Sequence, residues 1–120
     1  MDTSKKYIEM CERAEKIQKE WKPDNGDFYM YKPTGNQSII SLENQLFETE
    51  HDVWLPRQDQ LQEMLSDNFD SIHDMFGEFT CWIYDLQTTA EQLWLAFVMS
   101  EKYNKVWSTT KKDWVAQQAE

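Results

Sequence analysis

Four carboxylates, Asp67, Asp70, Asp74 and Glu78, recur at steps of three and four in "LSDNFDSIHDMFGEF", with His73 among them. Carboxylates and an imidazole at helical spacing can ligate a metal ion, exchange protons in catalysis, or present negative charge to a partner. Asp70, His73 and Asp74 would stand within one helical turn, close enough to share a cation. "ETEHD" offers a second set: Glu48, Glu50, His51 and Asp52. Neither segment has a dedicated ligand spacing such as H-E-x-x-H or an EF-hand loop. No metal site and no cofactor is therefore assigned. Catalysis has no better footing: the chain has two histidines and three glycines, with no G-x-S-x-G, P-loop or G-x-G-x-x-G. No catalytic residue is assigned, and the chain reads as non-enzymatic.

The remaining use is charge. Twelve basic and 22 acidic residues give a net charge of −10. The excess is concentrated: residues 43–80 carry Arg57 against ten acids, a net of −9, whereas residues 1–22 come to +1 and residues 23–42 and 81–120 to −1 each. Affinity for a nucleic-acid backbone comes from Lys and Arg neutralising phosphates, so direct nucleic-acid binding is disfavoured. On a helix at about 100° per residue, Phe69, Ile72, Phe76 and Phe79 fall on one side and the four carboxylates opposite. Like charges four apart cost roughly 0.2–0.5 kcal/mol each, and no lysine is interleaved to relieve them. Mixed charges would serve solubility as well. The stripe reads either as a merely solvated acidic face or as a surface shaped for a basic protein, with Glu48, Glu50 and Asp52 as a second acidic patch.

The elements that would position these residues follow from the apolar pattern. A chain of 120 residues fits one domain, 1–120, and 40% apolar with 14% aromatic content supplies a core despite a mean hydropathy of −0.81. The spacing predicts a first helix from about Ser4 to Glu20, with Tyr7, Cys11, Ala14, Ile17 and Trp21 inward. "KPDNG" stops it. "DFYMY" and "SIISL", separated by "KPTGNQ", predict a β-hairpin, which needs a third strand or a helix to persist; "DVWL", residues 52–55, is the candidate strand. Pro56 suits the first turn of a helix with Leu61, Met64 and Leu65 inward. Arg57, Gln58, Asp59 and Gln60 form either a polar cluster at this strand-to-helix junction or simply the helix start.

A longer helix is expected through Phe69, Ile72, Phe76, Phe79, Ile83 and Leu86; if Gly77 breaks it, "FTCWIY" becomes a strand. Thr88 and Glu91 match a capping box opening the central helix "EQLWLAFVMSEKY", with Asn104 as its stop. The tail reads as a polar segment anchored by Trp107 and Trp114. The fold class is α+β: about four helices with a small antiparallel, two- or three-stranded sheet. Its core is expected to hold Tyr7, Cys11, Ile17, Ile39, Leu61, Leu65, Ile72, Phe76, Leu93, Phe97 and Val98.

"YIEMCERAEKIQ", "VWLPRQDQLQEML" and "EQLWLAFVMSEKYNKVW" resemble a group of small proteins encoded in phages and prophages of Firmicutes, most strongly in the second and third stretches. The resemblance brings no activity, ligand or functional residue. It implies a phage setting, and with it an accessory protein acting on a host protein, for example an inhibitor of host defence whose carboxylates stand where phosphates would lie. The longest apolar run, "LWLAFVM", is too short to span a bilayer, and the start lacks a signal-peptide core, so a cytoplasmic location without membrane contact is expected. Cys11 and Cys81 lie on apolar stripes and read as reduced core thiols. An alternative function is a small-molecule module, for a nucleotide or signal, with Trp54, Trp82 and Trp94 lining an aromatic pocket and Arg57 as its cation, joined by Lys102 and Lys105.

Overall fold

The computed structural model describes residues 2–41, 51–65 and 89–116. Within them lie helices α1 (Lys5–Arg13), α2 (Glu15–Glu20), α3 (Gln58–Glu63) and α4 (Ala90–Tyr103), and strands β1 (Phe28–Tyr31), β2 (Asn36–Ile39), β3 (Asp52–Leu55), β4 (Lys105–Ser108) and β5 (Asp113–Ala116). This is the expected α+β class. The expected helix through Phe69 to Leu86, with Ile72, Phe76, Gly77 and Cys81, lies outside the described residues.

The first helix is broken where one continuous helix was expected. Ser4 caps α1, its Oγ accepting from the Tyr7 amide at 3.2 Å. Ala14 then leaves the helical region (φ −83°, ψ 66°), and α2 begins after it. Gln18 explains the break. Its Nε2 donates both to the Cys11 carbonyl (3.0 Å), which also accepts from the Ala14 amide (3.1 Å), and to the Trp54 carbonyl (2.9 Å), and its Oε1 accepts from the Trp54 amide (2.8 Å). One side-chain amide thereby satisfies the kink and both backbone groups of Trp54, which would otherwise present an open strand edge. Gln18→Ala strands the Trp54 amide and carbonyl and is expected to cost about 2 kcal/mol. Urea denaturation checks this; a loss below about 0.5 kcal/mol would show that water replaces the amide.

The hairpin and its third strand form as expected, in the order β2-β1-β3, antiparallel throughout. Phe28 faces Ile39 on one side and Leu55 on the other. The turn closes through Gly35, whose φ of +75° suits glycine and whose amide donates to the Tyr31 carbonyl at 2.7 Å. β2 starts two residues earlier than "SIISL" suggested and ends at Ile39, and the core position falls on the next residue. Ile39 is 53% exposed and Ile40, at 5%, takes the buried place. A one-residue change along a strand exchanges the two faces, and the isoleucine pair cannot signal which is inward.

Tyr7, Cys11, Ile17, Leu61, Phe97 and Val98 are buried as expected, whereas Leu65 and Leu93 are only partly so. Cys11 is a free thiol whose burial pushes its pKa well up, leaving it protonated and inert. Tyr7 donates to the Pro56 carbonyl at 2.5 Å, joining α1 to the loop after β3. Pro56 itself precedes α3, which begins at Gln58 with Arg57 as N-cap, so the proline stands ahead of the first turn.

The cap of α4 is one residue later than expected: Thr89, not Thr88, accepts from the Gln92 amide at 3.2 Å. Two adjacent threonines fit the capping pattern, and Asp2 selects between them. Its Oδ2 accepts from Thr89 Oγ1 (2.6 Å) and Gln92 Nε2 (2.7 Å), while its own amide donates to Glu91 (3.1 Å). Partial burial acts to raise the Asp2 carboxyl, but hydrogen bonds from Thr89, Ser4 and Gln92 outweigh it and hold the pKa below its ordinary 3.8. A depressed folded-state pKa gives stability that is present above about pH 4 and lost as the pH falls through the folded value. The melting-temperature gap between wild type and Asp2→Asn should therefore narrow from about pH 6 to pH 3. A gap independent of pH would remove the carboxylate from the cap.

Asn104 ends α4 in the left-handed conformation (φ 54°), as anticipated. The tail then departs from expectation: it is a second antiparallel sheet, β4 against β5, with Trp107 opposite Trp114. The two indoles pack edge to face at 5.2 Å, and Trp114 Nε1 donates to the Met10 carbonyl at 2.9 Å, pinning the hairpin to α1.

Candidate functional site

Among the described residues, a concavity combining aromatic and charged groups lies where α2, the 21–27 loop and α3 meet. It encloses about 510 Å³ and is lined by Trp21, Trp54, Arg57, Gln60 and Met64 among others. Trp21 and Trp54 stack in parallel, with ring centroids 6.0 Å apart. The stack follows from the loop geometry: Trp21 ends α2 just as the chain turns into β1, and Trp54 sits on the neighbouring strand β3.

Asp27 organises the site, though only 3% of it is exposed. Its Oδ2 accepts from Trp21 Nε1 (3.0 Å) and the Asp24 amide (3.1 Å), and its Oδ1 from Gln60 Nε2 (2.7 Å), with Arg57 Nη1 at 3.7 Å. Gln60 Oε1 in turn accepts from the Arg57 amide at 2.9 Å, securing the start of α3. Arg57 donates to the Gly26 carbonyl (2.8 Å) and, through Nε, to Asp59 (3.1 Å). The polar cluster read from "WLPRQDQL" is thus also the helix start. A buried carboxylate that accepts three hydrogen bonds positions its neighbours.

Of the expected pocket residues, Trp54 and Arg57 do line this cleft. Trp94 does not: it is buried on α4 and packs edge to face on Phe97 at 5.8 Å. Lys102 is committed to Glu20, at 3.1 Å, and Lys105 lies in β4. Trp82 lies outside the described residues. The cleft carries five carboxylates, from Glu20, Asp24, Asp27, Asp59 and Glu63, against Lys22 and Arg57. Its field therefore opposes an anionic ligand and favours a cation.

Of the expected partner-binding residues, Asp67, Asp70, Asp74, Glu78, Glu48 and Glu50 lie outside the described residues. Asp52 is described, half-buried on β3 opposite Tyr31. Its Oδ1 is buried without a hydrogen-bond partner, and burial pushes its carboxyl up against the opposing influence of His51. Among the described residues no group of three or more His, Cys, Asp or Glu is placed to hold a metal, and no helix is long and apolar enough to cross a membrane.

The sequence reading missed Trp21, Asp27 and Gln18 as a site framework. Asp27 directly after Gly26 read as a polar strand start, and nothing in the pattern marks it as buried. No family model, curated protein or solved structure matches the chain.

Proposed function

We propose that this is a non-enzymatic phage or prophage accessory protein that binds a host protein bearing a basic surface, acting in the cytoplasm of the infected or lysogenic bacterium. The binding residues are Asp67, Asp70, Asp74 and Glu78, with Glu48, Glu50 and Asp52 beside them. One specific form is an inhibitor of a host defence nuclease or regulator, with these carboxylates occupying the groove that receives nucleic acid. The protein itself makes no direct nucleic-acid contact.

The observation that carries this reading is the segregation of charge. All twelve basic residues lie in the described residues, beside thirteen acidic ones, and the other nine acids lie in the segments outside them. The near-balanced scaffold thus carries concentrated acidic stretches with no basic residue to neutralise them. The acidic lining of the Trp21–Trp54 cleft adds to the same preference. Capture from host lysate tests the proposal. A partner should be held near 0.05 M salt and released near 0.5 M, because attraction between exposed charges is screened over a few ångströms at the higher strength. Capture that ignores salt, or no capture at any salt, counts against it.

The second reading, a small-molecule module, is supported by the volume of the cleft and its stacked tryptophans. A ligand of the native state raises the melting temperature with its concentration. Nucleotides at millimolar concentration should give no shift, given the five carboxylates around Arg57; a concentration-dependent rise would favour this reading instead.

A further inference from the structure

The two outer edges of the three-stranded sheet differ. The bonds from Lys32 N to the His51 carbonyl (2.8 Å) and from Ile40 N to the Asp27 carbonyl (2.9 Å) fix which way each backbone group points. On β3, Trp54 turns its amide and carbonyl outward, and Gln18 satisfies both. On β2, Asn36 and Ser38 direct theirs at β1, so Gln37 and Ile39 direct theirs away from the sheet. Among the described residues nothing pairs with that side, and all of β2 is exposed. The two exposed large apolar side chains among the described residues, Tyr31 and Ile39, lie on this same hairpin.

Charged side chains ordinarily blunt such an edge, because an open edge templates pairing with another chain. Residues 33–42 are instead the longest run of the chain without an acidic or basic residue. In a chain of net charge −10, a second copy meets the least local repulsion here. We propose that β2 pairs antiparallel with β2 of a second copy, joining the two three-stranded sheets into one. The outward groups set the register. Gln37 of each copy pairs with Ile39 of the other, each pair exchanging both N–H···O bonds, and Ser38 meets its own counterpart on the two-fold axis. The exposed Ile39 thereby gains a neighbour. The outer edges of the joined sheet are then both β3, where Gln18 already occupies the Trp54 groups, so the sheet does not extend into a fibre.

This pairing uses none of the carboxylates assigned to the host partner, and salt separates the two. The net charge of two like copies opposes their approach. That repulsion reaches roughly 30 Å at about 0.01 M salt and less than about 10 Å above 0.1 M. Dimerisation therefore strengthens as salt rises, whereas capture of a basic partner weakens. The seam is short, so association is weak and follows concentration, with a dissociation constant on the order of 0.1–1 mM.

Sedimentation velocity of the full chain, from about 0.05 to 1 mM protein, tests the pairing. At about 0.15 M salt the weight-average mass should climb with concentration from 14.5 kDa towards twice that value. The climb should be steeper at about 0.5 M salt and nearly absent at about 0.01 M. Ser38 is exposed, so a lysine there is accommodated in the monomer. In the dimer, Ser38→Lys sets two like charges directly opposite each other and should weaken association about tenfold or more, although it reduces the net charge. Thr110→Lys, the same change of charge at an exposed turn of the other hairpin, should leave association intact. Ser38→Glu should also be monomeric, and an equimolar mixture of Ser38→Lys and Ser38→Glu should recover the dimer, since opposite charges then meet on the axis. A wild type monomeric throughout, an undiminished dimer in Ser38→Lys, or a mixture that stays monomeric would overturn the proposal. So would assemblies that grow beyond the dimer. Host capture by Ser38→Lys should persist, since its acidic residues are untouched, so the two proposals fail separately.

Discussion

Asp27→Ala is expected to lower stability by about 3–5 kcal/mol, the range for removing one partner from a buried charged network. The substitution removes the acceptor for Trp21 Nε1, the Asp24 amide and Gln60 Nε2 together, and takes the counter-charge from Arg57. Three buried or partly buried donors then lose this acceptor, and the Trp21–Trp54 stack is deprived of the hydrogen bond that orients Trp21. Asp27→Asn keeps the shape but not the chemistry. Both carboxylate oxygens accept, so either orientation of the amide turns an NH2 group toward a donor, at a cost of about 1–3 kcal/mol. Asp59→Ala is the contrast: that side chain is 69% exposed, and removing its pair with Arg57 should cost under about 1 kcal/mol. Urea denaturation should show the midpoint falling steeply for Asp27→Ala at an unchanged slope. A loss no larger than that of Asp59→Ala would show that Asp27 does not organise the cleft.

The parts of this molecule legible in its sequence are those governed by local period and local breakers. The inward stripe Tyr7, Cys11 and Ile17, the Lys32–Gly35 turn, the Asp52–Leu55 strand and the Asn104 stop each follow from a few neighbouring residues. The parts that were not legible depend on partners remote in the chain. Alanine is the strongest helix former, so nothing at Ala14 announces a break; Gln18 makes it by reaching Trp54, 36 residues away. Asp2 decides between Thr88 and Thr89 from 87 residues away. The terminal hairpin escaped notice because its turn, Thr109–Lys112, contains no Gly, Asn or Pro, and Lys112 adopts the left-handed conformation (φ 51°) that glycine usually supplies. Half of the candidate site was legible in the same sense. Trp54 and Arg57 follow from "VWLPR", whereas Trp21 and Asp27 join them only through tertiary hydrogen bonds.

The acidic stripe is expected from the spacing of Asp67, Asp70, Asp74 and Glu78, which lie outside the described residues, and its proposed role is where the largest functional effect is expected. Asp67→Asn/Asp70→Asn/Asp74→Asn removes three charges from one helical spacing while conserving side-chain volume. If the carboxylates meet a basic surface, removing each ion pair costs roughly 1–2 kcal/mol at a desolvated interface, and the three together should reduce partner recovery by about a hundredfold or more. The deciding measurement is capture from host lysate near 0.05 M salt with three proteins: wild type, the triple-Asn variant, and Glu12→Gln/Glu15→Gln/Glu101→Gln. The last two have equal net charge, but the glutamine variant is altered at exposed positions on α1, α2 and α4. The account predicts that wild type and the glutamine variant recover the same partner and that the triple-Asn variant recovers essentially none. Equal recovery by all three would contradict it, and leave the stripe as a solvated face.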